Sequence, residues 1–139
     1  MFRTKHLPGE RDAVAPDGSD VRVLLELSGG GLAHFTLPPG ETSIAVYHRT
    51  VEEIWYVISG QAQMWRQLGH EEETVELAPA DCLTIPVGTR FQVRSRGADA
   101  FVAVGVTMPP WPGAGEAVEC EGRWGPTVAA GLGISADRG

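Results

Sequence analysis

The sequence predicts an all-β fold, an antiparallel sandwich or barrel of about nine short strands, and three observations carry that expectation. The chain of 139 residues holds 18 Gly and 10 Pro, a share that interrupts long helices and suits short strands joined by turns. Between Val21 and Val106, short β-rich runs recur, each closed by Gly, Pro or a charged cluster. No stretch between them repeats apolar residues at i, i+3, i+4 and i+7, so the helices that a parallel βαβ arrangement needs are missing.

Taken in order, residues 1–19 are polar and contain Pro8-Gly9 and Pro16-Asp17-Gly18, which is turn chemistry and reads as an N-terminal arm. The barrel is expected over residues 20–108, with strands at 21–27, 32–37, 43–48, 53–59, 61–68, 73–77, 81–86, 90–95 and 100–107. Pro38-Pro39-Gly40 and Pro86-Val87-Gly88 set fixed-φ and permissive residues side by side at strand ends, as tight corners require. Ser59-Gly60 serves as a hairpin connection. Past Thr107, Met108-Pro109-Pro110-Trp111-Pro112 removes ladder donors and ends the strand. Residues 109–139 read as a Gly-, Pro- and Ala-rich tail that Trp111 and Trp124 anchor, either across the same barrel or onto a neighbouring subunit.

Composition narrows the function classes. A hydrophobic share of 42% against 21% charged residues supports one packed core. The formal net charge of −7 opposes a nucleic-acid partner, which needs cations against phosphate. The first 20 residues are too few for a helix-turn-helix ahead of the barrel. No apolar run is long enough to span a bilayer, and the polar opening, with no apolar segment behind it, reads as unexported. Cys82 and Cys120 lack CxxC spacing, so neither a disulfide framework nor a thiolate zinc site is indicated. A soluble, cytoplasmic protein is expected.

The segment from Gly40 to Gly60 and its continuation to Ser95 resemble the cupin superfamily. The first cupin motif, G-x5-H-x-H-x4-E-x6-G, is matched at Gly40, His48, Glu53 and Gly60, with Val46 in place of the first histidine. The second, G-x5-P-x-G-x2-H-x3-N, is met by Ala80, Pro86, Gly88, Phe91 and Ser95, which keeps the Pro-x-Gly turn and changes the other positions. The resemblance implies a double-stranded β-helix, or jelly roll. It also implies a lumenal metal site of three histidines and a glutamate suited to Zn, Fe, Mn or Ni. Here those four places hold Val46, His48, Glu53 and Phe91, so no cofactor is expected, and a divalent metal would need a rescuing ligand such as His34. His70 reads as a solvated loop residue, and His6 belongs to the arm.

Strand alternation places Val46 with His48, Phe91 with Val93, and Glu53 with Trp55 and Val57. His48 and Glu53 are the catalytic candidates, either a buried structural pair or a general acid and base. Trp55, Phe91 and Val46 are candidate ligand-binding walls. Arg66, on the face of Ala62 and Met64, would pair with Glu53 or receive an anion. Arg90, Tyr47, Arg49, Tyr56 and Gln92 complete the candidates near the mouth. The first reading is a small-molecule binder, for a sugar-like, anionic or aromatic ligand, with isomerase or epimerase chemistry if it is an enzyme. The alternatives are a metal-dependent enzyme, resembling a dioxygenase or mannose-6-phosphate isomerase, and a non-catalytic sensing module. Outward Ile54, Tyr56 and Ile58 form an apolar strip that suggests a homodimer.

Overall fold

The computed structural model describes residues 1–133; the last six positions of the expected tail, 134–139, lie outside the described residues. Eleven strands are formed among them: β1 (Ala13–Val14), β2 (Asp20–Leu27), β3 (Gly30–Leu37), β4 (Val46–His48), β5 (Glu52–Ser59), β6 (Gln61–Leu68), β7 (Glu71–Leu77), β8 (Cys82–Ile85), β9 (Arg90–Arg96), β10 (Phe101–Met108) and β11 (Ala117–Glu119). They make two antiparallel sheets, ordered β1-β2-β3-β10-β5-β8 and β11-β4-β9-β6-β7. Consecutive strands such as β4 and β5 fall in different sheets, so the chain winds back and forth across the barrel, as in a jelly roll.

The period-2 pattern decides which side chains meet inside. On β5, Glu53, Trp55 and Val57 are buried, while Ile54, Tyr56 and Ile58 are 40–47% exposed on the opposite face. The inner faces join in one core that includes Leu37, Val46, Trp55, Met64, Ile85, Phe91 and Phe101. Each fully buried side chain of this size contributes roughly 1.5–3 kcal/mol.

The strand expected at 43–48 shortens to 46–48: Ser43 still bonds β9, but Ile44 N–H is diverted to the arm. Ser43 N–H donates to Val93 O at 2.8 Å, and Ile44 N–H to Asp17 O at 2.8 Å. The arm and the tail each add a strand: β1 pairs with β2, and β11 with β4. Alternation fails at Gln92, buried although its neighbours Phe91 and Val93 face inward, because the tail covers it. Its Nε2 donates to Ser43 O and Trp124 O, both at 2.8 Å, and its Oε1 accepts from Trp124 N–H at 2.9 Å. Arg94 adds a cation–π contact, 4.4 Å above the Trp124 ring. The tail is thus strapped across its own barrel.

Candidate active site

Between the sheets lies a cavity of about 290 Å³ that holds His48 and Glu53 on its wall. His48 ends β4 and Glu53 is the second residue of β5, so the connecting segment sets their relation. That segment is clamped by Glu116, whose carboxylate accepts from Thr50 N–H at 2.7 Å, Thr50 Oγ1 at 2.6 Å and Val51 N–H at 3.0 Å. His48 O is fixed by Gly88 N–H at 3.1 Å. This Gly88 belongs to the Pro-x-Gly turn, which therefore braces the site directly.

His48 Nδ1 lies 3.4 Å from Glu53 Oε1 but makes no hydrogen bond there. The contact is not a strong ion pair. Burial pushes the His48 imidazole down to about 4, although the nearby Glu116 charge opposes the shift. Burial pushes Glu53 up to about 7, partly offset by the Trp55 hydrogen bond and reinforced by the Asp17 charge. Near neutral pH the pair is an uncharged imidazole beside a carboxyl close to half protonation. One partner can accept a proton and the other can hold one, which is the requirement for acid–base catalysis at neutral pH.

Aromatic rings surround the pair. His48 meets Phe91 and Trp111 edge-on, with centroids 5.3 and 5.0 Å away. Trp55 stacks on Phe35 at 5.4 Å, and its indole N–H donates to Glu53 Oε2. Gly105 on the neighbouring strand makes this possible: a Cβ there would stand 2.8 Å from Trp55 Cδ1 and 3.1 Å from Phe35 Cε2.

Of the residues singled out in the sequence, His48, Glu53, Trp55, Val46 and Phe91 converge on the cavity. Four others do not. His34 lies on the opposite face of β3 from the cavity-lining Ala33 and Phe35, so it cannot rescue a lumenal metal site. Tyr47 points away from the face of Val46 and His48 for the same reason. Arg90 is exposed at the start of β9. Arg66 donates to Thr84 O at 2.7 Å and to Glu73, its directly paired residue on β7, and does not reach Glu53. The pairing register that supplies Glu73 is invisible in one sequence.

The cavity also takes in Asp17, Thr107 and Trp111, none of which was assigned to the site. Asp17 and Trp111 come from the arm and the tail. Buried Asp17 carries no periodic signal, and Trp111 was legible only as an anchor.

A family ion does not fit this donor set. The places of two ligands are held by Val46 and Phe91, which pair directly between β4 and β9 and carry no donor atom. Glu53 Oε2 is already engaged by Trp55. Among the described residues, no group of three or more His, Cys, Asp or Glu is arranged to hold an ion.

Barrel, motif spacing and lumenal His–Glu pair define a small jelly-roll protein of the kind that encloses its site between two sheets. The family model for the cupin domain matches residues 33–107, and the chain belongs to that family. No curated protein matches it in sequence. Among solved structures it is similar to the nucleoside dehydratase Pac13, with TM-score 0.66, and to a Streptomyces Pac13 variant with uridine, with 0.67, each at 17% identity over 86% of this chain and 92% of that one. KdgF from Halomonas sp. gives 0.60 and 17%, over 76% of this chain and 94% of that one. Oxalate decarboxylase from Bacillus subtilis gives 0.66 and 18%, over 78% of this chain but only 29% of that one. The chain spans about a third of hazelnut vicilin, 33% of its length. At these identities the likeness concerns the fold. Among the described residues no helix is long and apolar enough to cross a membrane.

Proposed function

We propose that this cupin binds a small organic molecule in its lumen and moves a proton on it with His48 and Glu53, without a tightly held metal. The observation that carries this reading is the pair itself: two groups 3.4 Å apart, both buried, held at about 4 and about 7. Neutral His48 accepts a proton from a carbon or hydroxyl of the ligand, and protonated Glu53 delivers one to the site where charge develops. Isomerisation, epimerisation and elimination all fit that exchange, and Pac13, a nucleoside dehydratase on the same fold, supports a proton-transfer role for a small cupin.

The test is NMR in D2O over a panel of sugars, nucleosides and hydroxy or keto acids. Wild-type protein should catalyse deuterium incorporation or loss of water with at least one of them. His48→Ala and Glu53→Gln should each lower that rate by about 10²–10⁴-fold. Activity that survives both substitutions, or appears only with added divalent metal, overturns the reading.

We further propose that the outer face of the six-stranded sheet carries a second copy of the chain. Leu32, Ile54, Tyr56 and Ile58, 39–47% exposed, run together with Val102, Val104 and Val106. In a chain of net charge −7 this strip is apolar, with exposed Glu52 at its edge, so two copies can bury its centre without opposing like charges there.

A further inference from the structure

Asp17 is 7% exposed yet lines the cavity, and it belongs to no part of the acid–base pair. Its Oδ1 accepts from Ser19 N–H at 3.0 Å and Ser19 Oγ at 2.7 Å. Its Oδ2 takes no hydrogen bond among the described residues. Both bonds from Ser19 fall on Oδ1, so on this cavity wall Oδ2 is the oxygen left to accept from a ligand. The placement is built rather than incidental. Ile44 N–H holds Asp17 O at 2.8 Å, and the tail closes over the loop, with Gly131 N–H on Ala15 O and Gly133 N–H on Val14 O, both at 3.0 Å. Even the turn is matched to the tail, since a Cβ on Gly18 (φ +91°) would lie 2.2 Å from Val128 Cγ2.

The same cavity is lined by His48, whose buried Nδ1 has no hydrogen-bond partner, and holds the buried hydroxyl of Thr107. Carboxyl oxygens accept from hydroxyl groups, and aromatic walls such as Trp55 and Phe91 suit the C–H faces of a saturated ring. The lumen offers an anion no buried cation: Asp17 and Glu53 line it, Arg66 and Arg90 do not, and Arg3 and Lys5 of the arm line it only from exposed positions. Of the arm cations that reach the rim, Lys5 is committed to Val23 O at 2.7 Å.

Resting on the acid–base reading above, we propose that Asp17 is the anchor for adjacent hydroxyl groups of an uncharged polyhydroxylated ring, a sugar or the ribose of a nucleoside, and thus a specificity residue of the lumen. The tail keeps it in place.

The test is binding, independent of turnover. D-glucose, D-galactose, methyl β-D-glucopyranoside and uridine are titrated by tryptophan fluorescence against their deoxy analogues. Wild-type protein should bind at least one hydroxylated probe about 5- to 10-fold more tightly than its deoxy counterpart, the range for an ordinary hydrogen bond. Asp17→Asn should bring the two within about 2-fold, because the amide keeps the shape of the side chain but replaces one acceptor oxygen with an NH2 donor. If Asp17→Asn does not fold, Ser19→Ala, which removes one of the two contacts orienting the carboxyl, should shrink the preference by a smaller factor. A preference unchanged in the folded variant, or no binding by any hydroxylated probe, overturns the assignment of Asp17. Neither result bears on proton transfer by His48 and Glu53, which stands or falls in the deuterium experiment.

Discussion

Trp55 and Glu53, two residues apart on β5 and facing the same cavity, are joined by a hydrogen bond from the indole N–H to Oε2. The bond holds one oxygen of a buried carboxyl and leaves the other, Oε1, toward His48. It also makes Trp55 a reporter of the ionisation of Glu53.

Glu53 should therefore be visible in a pH titration. Its carboxyl is raised from an ordinary 4.5 to about 7 by burial. The folded state then binds more protons than the unfolded one between those values, so its contribution to stability is lost as pH rises through that window. His48, lowered from 6.5 to about 4, acts in the opposite sense: the unfolded chain binds more protons, and stability rises with pH between 4 and 6.5. The two nearly cancel over their overlap, and Glu53→Gln separates them. The variant should match wild type near pH 4.5 and be more stable by on the order of 2–3 kcal/mol at pH 8, measured by urea unfolding. Trp55 fluorescence should titrate near pH 7 in wild type and lose that midpoint in Glu53→Gln. Identical pH profiles for the two proteins would contradict the buried-carboxyl description.

Restoring the missing donors should restore a cation site. Val46 and Phe91 are paired across β4 and β9 on the lumenal face, so Val46→His combined with Phe91→His faces two imidazoles toward His48 and Glu53. The double variant should take up Zn²⁺ about 100-fold or more tightly than wild type, read by equilibrium dialysis with elemental analysis. Stoichiometric metal in purified wild-type protein that disappears in His48→Ala would reverse this account.

Strand positions and inward faces were legible because they depend on local patterns. The alternation Glu53-Ile54-Trp55-Tyr56-Val57-Ile58 fixes the face of β5 before any partner is known, and the intact motif spacing from Gly40 to Ser95 fixes the fold. Arg66 and His34 were ambiguous for the opposite reason. Which residue stands across a ladder, or which face an isolated histidine takes, depends on register and on non-local contacts. Asp17 was hidden more completely: it is buried only because the tail, more than a hundred positions later in the chain, closes over its loop. Gln92 illustrates the same limit, since its place as a tail anchor exists only once Trp124 has arrived.

Ala80 occupies the place of the glycine that opens the second cupin motif, and its φ is +77°. The turn demands that conformation: Ala80 N–H bonds Val57 O at 2.9 Å, and Asp81 N–H bonds Ala78 O at 3.1 Å. A Cβ in the left-handed region costs roughly 1–2 kcal/mol, and glycine returns part of that gain through unfolded-state entropy. Ala80→Gly should thus stabilise the protein by about 0.5–1 kcal/mol, raising Tm by a few degrees in calorimetry with ligand binding unchanged.

The apolar outer sheet makes the oligomeric state testable by charge. Ile54→Lys with Ile58→Lys places two cations on a strip that is 40–47% exposed, so the monomer should tolerate them. Light scattering should give a dimer for wild type and a monomer for the variant, with unfolding midpoints that no longer depend on concentration. A monomeric wild type at high concentration would remove the dimer proposal.

Glu116 should matter to the site although it does not touch the His48–Glu53 contact. Its carboxylate ties down Thr50 and Val51 between the two strands that carry the pair. Burial would raise its titration, but the bonds from Thr50 and Val51 outweigh that and hold it below the ordinary range, so its contribution is present at neutral pH and is lost as pH falls through the lowered value. Glu116→Ala leaves two backbone N–H groups without their acceptor, at about 1–3 kcal/mol for an unsatisfied group. Glu116→Gln keeps an acceptor and should lose less. If the clamp sets the His48–Glu53 geometry, Glu116→Ala should also shift the Trp55 fluorescence midpoint and lower turnover, and Glu116→Gln should largely restore both. Equal losses in the two variants would mean that the charge itself, acting on His48, matters more than the hold on the loop.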